Sequence, residues 1–281
     1  MKAYSSIIDL KDYLSSLKEK SLTLGFVPTM GALHQGHLSL IEKASQENDV
    51  VISSIFVNPI QFNNKEDFDK YPIQSEKDIE MLEKAGCDIV FAPSVAEMYP
   101  EPSKQVYDFG MFDKVMEGAF REGHFNGVAI VVKRLFDIVG PDKAYFGEKD
   151  FQQLQIIRHL VKTLHMSIEI VPCPIIREAD GLAMSSRNMR LTEAERALAP
   201  LIYRALRECT QEMKGKSVTE IKAYFVQEMS KFSDFRLDYF EIAEETTVQP
   251  IKSLSESENP RAFVAVFLGN VRLIDNMKII L

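Results

Sequence analysis

Cysteine is scarce in this chain. Its three residues, Cys87, Cys173 and Cys209, include no Cys-x-x-Cys spacing, which argues against a disulfide framework and for a reduced, cytoplasmic protein. Cys87 and Cys173 lie beside expected strands and read as small buried residues. Long apolar runs are missing too: none approaches the roughly 20 residues of a membrane-spanning helix. Acidic residues interrupt the amino-terminal MKAYSSIIDLKD, so it does not read as a signal peptide. There is no basic excess, because Lys and Arg number 33 against 41 Asp and Glu, for a net charge of −8. That balance argues against a general nucleic-acid binder, yet it allows a local cationic pocket for a small anionic ligand. No internal repeat is visible.

What the chain does contain is material for a core. At 281 residues and 46% hydrophobic content, it suits one large or, preferably, two modest domains. The organising stretch covers residues 25–40, GFVPTMGALHQGHLSL. An apolar strand over 22–27 enters a turn marked by Pro28, Gly31 and Gly36, and an amphipathic helix leaves it carrying Leu38, Ile41 and Ala44. Doubly wound α/β proteins bind phosphates at such a turn. His34 and His37 stand where the new helix would offer unpaired N–H groups to an anion. A His-x-x-His pair is also compatible with a metal half-site or with two surface imidazoles. The order strand, His-x-Gly-His, helix has the form seen in the nucleotidylyltransferase superfamily.

Further along, strands are expected over 50–57, 87–92, 143–146 and 168–172. Helices are expected over 9–18, 75–85, 128–139 and 151–165, and loops over 65–71 and 93–102. Four more segments carry candidate ligand-binding residues. Asn58 and Gln61 follow the second strand, and their amides suit a hydroxy acid, although Asn-Pro is also a common turn initiator. Residues 117–127 mix glycine with Arg121 and His124 ahead of a helix, a setting for polyphosphate or simply an exposed charged loop. Gly147, Glu148, Lys149 and Asp150 form another strand-to-helix turn. In the loop beyond the fifth strand, Met184-Ser185-Ser186-Arg187 sets two hydroxyls beside a fixed cation. After residue 176 the pattern changes, with helices over 193–214 (capping box Thr192 and Glu195) and 218–232, then strands over 237–243, 261–268 and 271–280. The fold class expected is thus α/β: a Rossmann-like doubly wound parallel sheet over 1–176 with a smaller C-terminal α+β domain over 177–281.

With PTMGALHQGH at 28–37, FVNPIQF at 56–62, GHFNGV at 123–128, YFGEKDFQQL at 145–154 and READGLAMSSRN at 177–188, the chain resembles the pantothenate synthetase (pantoate–β-alanine ligase) family. The resemblance implies an ATP- and pantoate-binding first domain, a lid-like second domain, a homodimer, and condensation of pantoate with β-alanine through an acyl adenylate, using ATP and Mg²⁺. It assigns Met30, Gly31, Ala32, Leu33, His34, Gln35, Gly36, His37, Gly147, Glu148, Lys149, Asp150, Ile176, Met184, Ser185, Ser186 and Arg187 to ATP. Of these, His37, His34, Lys149, Ser185, Ser186 and Arg187 carry the catalysis. Gln61 and Gln153 match the glutamines that hold pantoate, with Asn58 beside them. No Mg²⁺ ligand can be assigned, Asp78 being an acidic candidate or a solvated helix residue. Two positions depart from the family pattern: Glu122 replaces a usual proline, and Ala183 stands where the superfamily's second signature begins with lysine. A nucleotidyltransferase that stops at AMP or CMP transfer, and a non-catalytic nucleotide-binding or metal-sensing module, are the alternatives.

Overall fold

A computed structural model describes residues 1–62, 68–69, 71–72 and 74–280; most of the expected loop over 65–71 lies outside them. Two compact units emerge. The first comprises Met1–Phe109, Arg121–Glu148 and Ile156–Pro174, and the second Gly110–Phe120, Lys149–Gln155 and Ile175–Leu281. The second unit therefore takes in two upstream segments that a single division at residue 176 would leave with the first.

In the first unit the chain runs β1 (Lys2–Tyr4), α1 (Ile7–Lys18), β2 (Leu24–Thr29), α2 (Gln35–Glu47), β3 (Val50–Ile55), α3 (Ser75–Lys84), β4 (Ile89–Phe91) and α4 (Val95–Met98). Past α5 (Met116–Phe120), which belongs to the second unit, it resumes with α6 (His124–Val139), β5 (Lys143–Gly147), α7 (Phe151–Thr163), whose first residues, up to Gln155, are counted with the second unit, and β6 (Glu169–Cys173). The sheet order among the described residues is β1-β4-β3-β2-β5-β6, every pair parallel. β3 and β4 extend the sheet to one side of β2, and β5 and β6 to the other. The winding reverses at β2, the topological switch point where open α/β sheets bind ligands.

The register shows how that crevice opens. β2 pairs with β3 from Leu24↔Val50 to Thr29↔Ile55, but with β5 only at Gly25↔Lys143 and Phe26↔Ala144. Beyond Phe26 the two strands part, and Pro28, which has no N–H for a ladder, lies in the unpaired stretch. Apolar residues drive the layering. Val27, Val51, Val90, Tyr145 and Val171 from the strands bury against Leu40, Ile41, Ala44 and Leu82 from α2 and α3, as a parallel sheet covered by helices requires.

The second unit holds α8 (Glu193–Leu198), α9 (Pro200–Arg207), α10 (Val218–Ser230), β7 (Phe235–Glu244), β8 (Pro260–Leu268) and β9 (Val271–Lys278). Its sheet, β7-β8-β9, is antiparallel, and α10 packs on β7. The expected helix over 193–214 is divided: Pro200 starts a second helix, and a π turn covers Glu208–Glu212. A helix-interior proline removes one i→i−4 bond and clashes with the turn before it. No helix among the described residues is long and apolar enough to cross a membrane.

Candidate active site

The turn after β2 is held from within. Gly31 has φ +79° and Ala32 φ +49°, a left-handed pair that only glycine enters without strain. Asp78 of α3 fixes it, accepting the Ala32 N–H at 2.9 Å and the Leu33 N–H at 2.8 Å. A Cβ on Gly31 would lie 2.9 Å from the Asp78 carboxylate. Asp78 is 1% exposed, so it is neither a solvated helix residue nor a carboxylate open to a metal. It is a brace that sequence reasoning did not identify, since no local pattern reports burial.

His34 is the N-cap of α2. Its Nδ1 accepts the Gly36 N–H at 3.1 Å, and the His37 Nδ1 accepts the His34 N–H at 3.3 Å, a capping box built of imidazoles. The two rings lie 4.1 Å apart, centroid to centroid. The expectation that this helix start leaves its N–H groups to an anion is thereby corrected for residues 34 and 36, which are already paired. A second consequence concerns the proton: an Nδ1 that accepts a hydrogen bond carries none, so each neutral ring has its N–H at Nε2.

After β3, Asn58 is fully buried and committed on every side. It donates to the Gly127 carbonyl at 3.1 Å and to the Gln61 Oε1 at 3.2 Å, and it accepts from Tyr99 Oη at 3.0 Å and from the Ile60 N–H at 3.3 Å. With its amide so engaged, Asn58 sets the orientation of Gln61, whose Nε2 lies 2.9 Å from Met30 Sδ. α6 begins at His124, four residues earlier than expected, because Gly123 at φ +76° caps it. His124 is consequently buried, with Nδ1 2.8 Å from the Gln61 carbonyl. Gly127 allows the close approach, for a Cβ there would sit 2.6 Å from the Ile60 carbonyl oxygen. An open cleft of about 500 Å³ lined by Gly140, Pro141 and Ile168 lies at the amino ends of β5 and β6, away from these residues.

In the second unit, the loop from Arg177 to Arg187 is a pinned hairpin. Arg177 bridges Ala183, and the Met184 N–H donates to the Ile176 carbonyl at 3.0 Å. The guanidinium of Arg177 grips Asp275 of β9 through two bonds of 2.6 and 2.9 Å and stacks on Tyr203. Burial pushes the Asp275 carboxyl above its ordinary value, against the opposing pull of Arg177. Ser185 Oγ accepts the Arg187 N–H at 3.2 Å, and Ser186 is buried. Ala183 is 4% exposed, a place with no room in water for a lysine head. On the Lys149–Gln155 segment, the Lys149 Nζ lies 3.7 Å from Asp150. Gln152 is consumed internally by Glu117, Phe112 and Val115, while its neighbour Gln153 is half-buried.

A Rossmann-like strand order with His-x-Gly-His at its switch point defines an α/β enzyme of nucleotide chemistry. A family model described as Pantoate-beta-alanine ligase matches residues 2–278. The chain is 49% identical to a pantothenate synthetase of Cytophaga hutchinsonii, with all of both chains covered. Among solved structures it is similar to a pantothenate synthetase from Thermus thermophilus (43% identity, TM-score 0.93, 99% of each chain). It is also similar to a pantoate-beta-alanine ligase from Francisella tularensis complexed with beta-gamma ATP and beta-alanine (38% identity, TM-score 0.83, 99% of this chain and 97% of that one). The chain belongs to the pantoate–β-alanine ligase family. It is an ATP-dependent ligase that joins pantoate to β-alanine, giving pantothenate.

Proposed function

We propose that the ligation proceeds in two steps through pantoyl adenylate, and the observation that carries this reading is the imidazole capping box at the β2–α2 turn. A carboxylate oxygen is a poor leaving group, so pantoate first attacks the α-phosphorus of ATP and expels pyrophosphate. His34 and His37, each with Nδ1 held by a backbone N–H, direct Nε2–H donors at the phosphate oxygens. Donors fixed before charge develops are where electrostatic catalysis gains most. Residues 30–33 and 35–36 supply the backbone bed for the nucleotide, with Asp78 holding its shape.

Gly147, Glu148, Lys149 and Asp150, with Ile176, Met184, Ser185, Ser186 and Arg187, complete the assigned ATP contacts. Lys149 and Arg187 bring the cationic charge that Ala183 cannot. Gln61 and Gln153 hold pantoate, and Asn58 acts through Gln61. In the second step the β-alanine amine attacks the acyl carbon and AMP leaves. Only the neutral amine is nucleophilic, so a proton must be lost before attack.

Mg²⁺ accompanies ATP in this reading. Among the described residues no group of three or more His, Cys, Asp or Glu could hold a metal ion, and Asp78 is committed to backbone N–H groups. That fits an ion carried largely by phosphate oxygens and water, as Mg²⁺ commonly is; it would neutralise phosphate charge. A homodimer and a cytoplasmic location also belong to the proposal. The latter is supported by three unpaired cysteines.

Exchange of labelled pyrophosphate into ATP, with pantoate present and β-alanine absent, tests the route. Pantoate-dependent exchange is expected. Its absence, with both substrates shown to bind, would favour a concerted ligation.

A further inference from the structure

Lys149 follows β5, yet its backbone is fastened to the C-terminal sheet. The Asn276 side chain of β9 donates Nδ2–H to the Lys149 carbonyl at 3.0 Å. Asn276 is itself immobilised: its Oδ1 accepts from Arg261 Nη1 at 2.6 Å, its N–H donates to the Asp275 carboxylate at 2.7 Å, and it is 2% exposed. Arg261 in turn stacks over the ring of Phe151, its guanidinium carbon 4.1 Å from the centroid, and Phe151 packs edge-on against Phe263. Four residues on, Gln155 donates to the Glu245 carbonyl at 2.9 Å. The segment Lys149–Gln155 is thus gripped at both ends and at its first ring.

We propose that Asn276 is a positioning residue for the ligase reaction, fixing the backbone of Lys149 so that its ammonium group meets the ATP phosphates at a set place. A buried amide between a carbonyl and a guanidinium is a demanding choice for a β-strand position, where an apolar side chain would pack at lower desolvation cost. The same strand anchors the other phosphate-assigned segment, since the adjacent Asp275 holds Arg177. β9 therefore sets the spacing between the Lys149 turn and the Ser185–Arg187 loop within the second unit. A small displacement of a charge-stabilising group costs rate more than it costs folding.

This inference rests on the reading that Lys149 acts on ATP, and a double-mutant cycle separates the two. Asn276→Asp keeps an acceptor for Arg261 and removes the donor to Lys149; Asn276→Ala serves in its place if the first variant does not fold, as judged by thermal melting. Pantoate-dependent pyrophosphate exchange is measured for wild type, Asn276→Asp, Lys149→Ala and the double variant. Coupling is expected: each single change lowers exchange at least about tenfold, and the double variant is no slower than Lys149→Ala. Additive losses, or normal exchange in folded Asn276→Asp, would overturn the positioning role. Normal exchange in Lys149→Ala would overturn the reading beneath it, and the inference with it.

Discussion

His37 has two tasks at once, capping the His34 N–H through Nδ1 and, in the proposed route, donating from Nε2. His37→Ala should separate them. Loss of a cap costs about 1 kcal/mol, so melting falls by a few degrees, whereas pantoate-dependent exchange falls at least a hundredfold, the scale of one oxyanion donor. Near-normal exchange in the folded variant would remove the catalytic task. Asp78 offers a complementary test. Asp78→Asn turns an amide toward one of the two N–H groups of Ala32 and Leu33 that the carboxylate accepts. Leaving that donor unmatched should cost about 1–3 kcal/mol in urea unfolding and raise the KM for ATP. At this scale the sequence was legible in position where a motif names its residues, with His34 and His37 at the start of the helix after β2. It named Asn58 as a substrate contact and Asp78 as a metal candidate or a solvated residue, but missed the tasks that both take from being enclosed, because no local pattern records burial.

Elements repeat that contrast. The parallel strands were visible because strands covered on both faces are nearly continuous apolar runs, as over Val50–Ile55. β1 was not, being three residues at a sheet edge with no alternation to read. The start of α6 was misplaced because Gly123 and Gly127 suggest a loop. Gly123 is the left-handed cap, and Gly127 is inside the helix to let it approach the Asn58–Gln61 turn. Gly127→Ala would press a Cβ against the Gln61 backbone. It should destabilise the first unit by about 1–3 kcal/mol and raise the KM for pantoate more than that for ATP; equal shifts would argue against this packing as the determinant of Gln61. In α10, hydrogen bonds from Ser217 and the nearby Lys216 hold the Glu220 carboxyl down to about 2, from an ordinary 4.5. A depressed carboxyl contributes its stability above the unfolded value and loses it as pH falls toward the folded one. Amide-exchange protection factors in the first turn of α10, which remove the intrinsic pH dependence of exchange, should accordingly fall between about pH 4.5 and 2, and the change should vanish in Glu220→Gln.

Across the whole molecule, a composition poor in cysteine is matched by three thiols that are all buried. Burial lifts Cys87 and Cys209 to about 12 and Cys173 to about 11. Thiolates being the reactive form, native protein should resist alkylation at pH 8 while urea-unfolded protein takes three equivalents. The second unit's recruitment of Lys149–Gln155 was beyond sequence reading, because its ties to Asn276, Arg261 and Glu245 join residues about a hundred positions apart. The central claim is that pantoate's carboxylate attacks the α-phosphorus. It is tested most directly by running one turnover with pantoate labelled with ¹⁸O in its carboxylate and weighing the products. Pantoyl adenylate requires one labelled oxygen to leave in AMP and none in pyrophosphate; AMP without label, or label in pyrophosphate, would contradict it.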